Sequence, residues 1–193
     1  MLEMTKRLPR YSLRTLLVAT LFAACLFAYT LQHYRKFKSA YSAVKEVGGT
    51  ASQSVDGPKW LRDLANDNEY FYHLERISLG ASTGNCKPED VTDETISALM
   101  PHFRVYSKLS ILELVDVAVG DSGVSMLSNL PSLKHLHLKS SRISDLTIDR
   151  LQKLDNLESV MIECCPGVTT EAIDRLRIAR PKLEVNHILC LPP

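Results

Sequence analysis

The chain has 193 residues, which is enough for one compact domain with attached segments. Its formal net charge is +1, so no overall field favours binding to nucleic acid. The five cysteines are too few and too scattered to predict a disulfide framework.

The N-terminal segment predicts a basic tail followed by a transmembrane helix. Residues 1–14 carry four Lys or Arg side chains, and residues 15–34 contain no Asp, Glu, Lys or Arg. As a helix, this second stretch spans about 30 Å, which is the thickness of the hydrocarbon core of a bilayer. Tyr11 and Tyr34 then lie near the two interfaces, where aromatic side chains are favoured.

A cleaved signal peptide and lipoprotein processing at Cys25 are the alternatives. The apolar run is longer than a usual signal core and contains no Ala-x-Ala, so an uncleaved single-pass anchor is predicted. Nearby basic residues number four on each side, so the positive-inside rule does not decide the orientation. The short tail slightly favours an outside or periplasmic domain, whereas the lack of a disulfide framework favours the inside.

Two segments separate the anchor from the remainder of the chain. Residues 35–56 predict a juxtamembrane helix that stops at Gly48 and Gly49, followed by a short polar strand and linker. Residues 57–73 predict a helix with Trp60 on its apolar face. We expect this helix to cover the open end of the domain that follows.

A period of 24 residues organises the rest of the chain. Three apolar positions recur in each copy: Leu109, Leu112 and Leu114; Leu133, Leu136 and Leu138; and Leu157, Val160 and Ile162. A fainter copy begins at Leu74 and a broken one at Leu183. A period of this length is typical of stacked repeats, because one copy cannot bury its own apolar face.

Each copy combines two kinds of spacing. Its first part alternates apolar and other residues, as a strand does, and its second part has apolar residues at spacings of three, as along one helix face. Acidic residues such as Asp145 open the second part and favour a helix N-terminus. The expected fold class is therefore α/β, with parallel strands on one side and helices on the other.

The stretch "LKHLHLKSSRISDLTIDRL" resembles the leucine-rich repeat. The stretch "VMIECCPGVTTEAIDRL" is similar to its cysteine-containing, ribonuclease-inhibitor-like variant, in which a Cys or Asn caps the strand from inside. This resemblance implies a short solenoid of about four repeats over residues 74–193, with strands on the concave side and helices on the convex side. The whole layout resembles single-pass leucine-rich repeat proteins of planctomycete-type bacteria, which implies architecture and little about function.

The residues between the inward leucines predict a binding face. We expect a non-catalytic scaffold or adaptor that binds a protein or peptide, needs no cofactor and contacts no nucleic acid. The predicted contact residues are Arg76, Ile111, Glu113, His135, His137, Lys139, Met161 and Glu163. Four or five strands give a face about 20 Å wide, which is smaller than a standard protein interface.

Two other functions stay open at this point. The chain could be a structural envelope protein whose repeats self-associate into a homo-oligomer. It could also be a metal protein or enzyme that uses His135 and His137, although neither Glu113 nor Glu163 completes a recognisable ligand set. Cys165 is expected to be a buried structural thiol rather than a nucleophile.

Overall fold

The structure of this chain is a computed structural model. It describes residues 12–55, 57, 59, 62–63, 71–80, 87–105 and 108–190. These residues form an α/β protein with a long N-terminal helix and one six-stranded sheet. The strands are β1 (Thr50–Val55), β2 (Tyr72–Gly80), β3 (Ile111–Val115), β4 (His135–Lys139), β5 (Ser159–Glu163) and β6 (Glu184–Ile188). The α-helices are α1 (Leu13–Glu46), α2 (Asp93–Val105), α3 (Asp121–Met126), α4 (Asp145–Leu151) and α5 (Thr170–Ala179).

The sheet is mostly parallel. Its strands lie in chain order from β1 to β6, and only the β1–β2 pair is antiparallel. A helix connects each strand from β2 to β5 with the next one. Along one row, Arg76 aligns with Ile111, His135, Ser159 and Glu184. The 24-residue spacing seen in the sequence is thus the register between β3, β4 and β5.

Each of β3, β4 and β5 ends in a residue with left-handed backbone conformation. These residues are Asp116, Ser140 and Cys164, with φ values of 53°, 50° and 54°. Each donates its backbone N–H to a carbonyl oxygen of the next strand, at 2.9 to 3.0 Å. The chain then turns inward, and the residues that follow are all buried: Val117, Ser141 and Cys165. Cys165 therefore occupies the inward position that the sequence predicts.

Three aspartates in the first turns of helices link each strand–helix repeat to the next. In each of Asp93, Asp121 and Asp145, one carboxylate oxygen accepts a hydrogen bond of 2.8 Å from a backbone N–H in the following repeat. The three donors are Gly120, Ser144 and Thr169. These acids thus tie one unit to the next, in addition to the favourable position at a helix N-terminus that the sequence indicates.

The α1 helix has two different surroundings along its length. Its C-terminal part packs into the core through Phe37, Ala40 and Val44, which are at most 7% exposed. Its N-terminal part is apolar and exposed, and α1 is long and apolar enough to cross a membrane. The transmembrane and juxtamembrane helices expected on either side of residue 34 therefore form one continuous 34-residue helix of about 51 Å.

The covering role predicted for residues 57–73 depends on Trp60, which lies outside the described residues, as does most of that segment. Strand β2 begins at Tyr72, ahead of the expected boundary at residue 74. The end of α1 and strand β1 both pack against β2, and the apolar face of the juxtamembrane segment continues directly into the core.

The described part of the chain contains one disulfide, although the number and spacing of the cysteines predicted no disulfide framework. Cys164 at the end of β5 is bonded to Cys190, with a Cα–Cα distance of 4.7 Å. The two residues are distant in sequence, but β6 extends the sheet and returns the chain to the end of β5. Cys25 is exposed on α1 and Cys165 is buried as a free thiol.

Replacing Gly80 with Ala should destabilise the chain by at least about 2 kcal/mol. Gly80 has a φ of 112°, and an added Cβ would overlap the carbonyl oxygen of Val115. Gly120→Ala is the matched control, because its φ is −108° and the nearest atoms to an added Cβ lie at 3.5 Å. Chemical unfolding of both variants in detergent micelles measures the difference, and equal losses would contradict the predicted clash.

Replacing Asp121 with Ala should lower the free energy of unfolding by about 1–3 kcal/mol at neutral pH. The variant leaves the N–H of Ser144 and the hydroxyl of the buried Thr147 without their acceptor. Asp149→Ala is the control, because Asp149 forms only an exposed ion pair with Arg175 and should change the value by less than about 1 kcal/mol.

Acidification should remove the stability that the ionised carboxylate of Asp121 contributes. Burial raises the pKa of Asp121, but hydrogen bonds from Ser144 and Thr147 outweigh that effect, so the pKa is lowered. A lowered folded-state pKa adds stability above the unfolded-state pKa of about 3.9, and this stability is lost as the pH falls through the folded-state value. Unfolding curves between about pH 7 and pH 3 should therefore converge for wild type and Asp121→Ala. A constant difference would show that ionised Asp121 is not the source.

Candidate functional site: the outer face of the sheet

The exposed side of β2 to β5 carries all eight predicted contact residues, and we call it the outer face. Core leucines alternate with outward residues along each strand, as the burial of Leu112, Leu114, Leu136 and Leu138 shows. The register places the residues between the core leucines in three rows: Arg76, Ile111, His135 and Ser159; Ser78, Glu113, His137 and Met161; and Gly80, Val115, Lys139 and Glu163. Gly80 and Val115 of the third row are buried, so this row is open only at Lys139 and Glu163. These are the rows that the sequence spacing predicts.

At the β2 end of the outer face, Glu113 is held by two donors. The Arg76 guanidinium lies 2.8 Å from one carboxylate oxygen, and the Ser78 hydroxyl donates to the other. Arg76 is half-exposed, so solvent reaches this pair. Glu113 adjoins His137 in the register as predicted, yet its carboxylate turns away from that histidine toward β2. Ser78 is therefore a member of this cluster that the predicted set left out, although it shares the row of Glu113.

At the β5 end of the outer face, Glu163 lies between the imidazole of His137 and the ammonium group of Lys139. Its two carboxylate oxygens are 3.6 Å from His137 Nε2 and 3.6 Å from Lys139 Nζ. His137 Nε2 is shielded from solvent and has no hydrogen-bond partner among the described residues. Its nearest carboxylate oxygen, on Glu163, lies just beyond hydrogen-bond distance.

Part of the outer face forms a shallow depression with a volume of about 350 Å³, to which Ile111 and Met161 contribute apolar side chains. The lining also includes Arg76, Glu113, His135, Leu136, His137 and Ser159. The outer face thus combines apolar, charged and hydrogen-bonding groups, which is an arrangement suited to noncovalent recognition.

His135 lies in the row where the strands begin. Next to it, Lys134 and Glu158 form an additional exposed ion pair at 2.7 Å. The hydrogen bond from Lys134 lowers the pKa of the Glu158 carboxyl. This pair was not among the predicted contact residues. The sequence could have indicated this pair, because both residues immediately precede outward-facing strand residues at equivalent positions of neighbouring repeats.

The two histidines do not meet the requirements of a metal site by themselves. His135 and His137 both belong to β4 and occupy successive outward rows. Within the described residues, no group of three or more His, Cys, Asp or Glu side chains is arranged to hold a metal ion. The arrangement therefore supplies hydrogen bonds, charges and an apolar surface.

Comparison with models of known protein families finds no family whose model matches this chain.

Removing the Glu113 side chain should leave the fold almost unchanged. Both of its partners are partly exposed, so Glu113→Ala should change the free energy of unfolding by at most about 1 kcal/mol. The neighbouring Leu114 is fully buried, so Leu114→Ala should cost about 2–5 kcal/mol. Chemical unfolding measures both, and a large loss for Glu113→Ala would mean that the outer face serves stability rather than binding.

Proposed function

We propose that this chain is a membrane-anchored leucine-rich repeat protein whose outer face binds a protein or peptide without catalysing a reaction. The observation that carries the proposal is the outer face itself. It combines charged, apolar and hydrogen-bonding side chains from four strands in one register, and they remain partly exposed. Such mixed surfaces are typical of recognition sites.

Recurring local structure supports the assignment to leucine-rich repeats. The left-handed residues Asp116, Ser140 and Cys164 recur at the 24-residue period, each followed by a buried residue. The hydrogen bonds from Ser144 and Thr169 to Asp121 and Asp145 recur with nearly the same spacing. Repeats that stack through equivalent contacts are the defining property of a solenoid.

The exposed part of α1 supports the membrane anchor. Large apolar side chains project from it into the surroundings, among them Leu16, Leu17, Val18, Leu21, Phe22 and Phe27. A surface of this kind is stable in lipid and unfavourable in water. The Cys164–Cys190 disulfide supports placing the sheet on the oxidising side of the membrane, because disulfides are rare in the cytosol.

The dimensions of the outer face favour a short partner segment. Adjacent strands lie about 4.8 Å apart, so the four strands that carry the face extend over only about 15–20 Å. The depression to which Ile111 and Met161 contribute offers apolar contacts to a partner. The pairs at Glu113 and Glu163 offer charged contacts. A short peptide that carries both apolar and polar side chains is the expected ligand.

Self-association is a second candidate function that one observation favours. Three large apolar side chains are exposed in the last part of the described chain, namely Ile178 on α5, Ile188 at the end of β6 and Leu189 directly after it. Burial of these side chains between copies would stabilise an oligomer. A mass of the detergent-solubilised chain that rises with concentration, and stops rising when Ile178 and Leu189 are replaced with Ser, would favour this candidate.

A peptide-display selection on the full chain in lipid nanodiscs tests the binding proposal. Reversing two of the charges on the outer face, with Glu113→Lys and Lys139→Glu, should weaken binding of the selected peptides at least about tenfold, because like charges then oppose each other across the interface. The control reverses the ion pair on the helix side, with Asp149→Lys and Arg175→Glu. Both double variants keep the net charge. Peptides that bind both variants as tightly as wild type would overturn the assignment to the outer face.

A further inference from the structure

The direction of α1 relative to the sheet shows which edge of the sheet faces the apolar helix. The ring centroids of His33 and His73 lie 4.5 Å apart, next to the beginning of β2. Further along α1, Phe37 contacts Tyr72, and the turn after α1 places Gly49 against Leu79 near the end of β2. Helix and strand therefore run in the same direction, and the apolar part of α1 extends past the amino-terminal end of β2.

The amino-terminal ends of β2 to β6 form one edge of the sheet, because these strands are parallel. We call it the amino edge. Its described connecting segments are 108–110, 127–134, 152–158 and 180–183. They contain five basic residues and two acidic ones, namely Lys108, Lys134, Lys153, Arg180 and Lys182 against Asp155 and Glu158.

The opposite edge has the reverse charge. Its described segments, including the first helical turns, are 87–94, 116–121, 140–145 and 164–171, and they contain two basic residues and eight acidic ones. Complementing the helix dipoles explains part of this difference, since acids favour helix N-termini and bases favour C-termini. It does not explain Lys108, Lys134 and Lys182, which lie beyond the helices and directly before or near a strand.

The position of the amino edge relative to the bilayer follows from the length of α1. From Thr15 to Tyr34 the helix rises about 30 Å, which fills the hydrocarbon core of a bilayer. His33 then lies next to the boundary, and the exposed Arg35, Lys36 and Lys38 follow at headgroup depth. Lys108 lies close enough to His33 for their charges to interact. The helix and the amino edge thus present basic groups at the same level.

We propose that the amino edge lies on the membrane surface and binds the headgroups of anionic phospholipids. Lys182, together with Lys134 in its exposed pair with Glu158, extends the row of basic residues Arg35, Lys36 and Lys38 of α1 along the bilayer surface, and the acidic opposite edge points away from it. An anionic lipid surface attracts juxtamembrane basic groups within about one Debye length. The proposal rests on the membrane anchor of the proposed function, but not on partner binding by the outer face.

Amide hydrogen exchange of the full chain in nanodiscs tests this contact. One set of discs contains phosphatidylcholine, and the other contains phosphatidylcholine mixed with phosphatidylglycerol. Segments 127–134 and 180–183 should exchange more slowly in the anionic discs, by about fivefold per contacting lysine at low salt. High salt should remove the difference, because it screens exposed charges.

Two double variants with equal loss of charge decide the assignment. Lys134→Gln with Lys182→Gln should abolish the lipid-dependent protection, whereas Lys87→Gln with Arg142→Gln on the opposite edge should preserve it. Two results would overturn the headgroup contact. One is equal exchange of the wild type in both kinds of disc, and the other is an equal loss of lipid-dependent protection in the two double variants. A chain that fails to enter nanodiscs would overturn the anchor together with it, so the two failures are distinguishable.

Discussion

The packing of the last turns of α1 against β2 is the contact on which the rest of this structure depends. Phe37, Ala40 and Val44 bury one helix face in the core, and the same helix continues without interruption into its exposed apolar part. One element therefore covers the end of the sheet and supplies the proposed anchor. No flexible linker lies between them, so the orientation of the sheet follows from the orientation of the helix.

This orientation determines how the outer face is presented. Strand β2 begins next to His33, and β2 and the strands parallel to it run in the direction in which α1 leaves the apolar segment. The row that contains His135 is therefore nearest to the proposed membrane surface, and the row that contains Lys139 and Glu163 is farthest from it. A partner would meet the outer face from the side, which suits a ligand that is itself attached to the same membrane.

Sequence spacing predicted the rows of the outer face, because strand alternation and a fixed 24-residue period determine which residues align. It did not predict that Glu113 turns toward Arg76 and Ser78, since the choice of ion-pair partner depends on side-chain geometry. The continuity of α1 was also missed, because the basic residues after residue 34 look like the end of a transmembrane segment. The Cys164–Cys190 bond depends on β6 joining the sheet, which a broken repeat does not reveal.

Residue-resolved amide exchange along α1, with the chain in lipid nanodiscs, tests the central claim most directly. The account predicts slow exchange from Leu31 to Glu46 without interruption, because a continuous helix retains its backbone hydrogen bonds and the core covers one of its faces. Fast exchange between His33 and Lys38, with slow exchange on both sides, would reveal a hinge. That result would contradict a rigid connection between the anchor and the sheet.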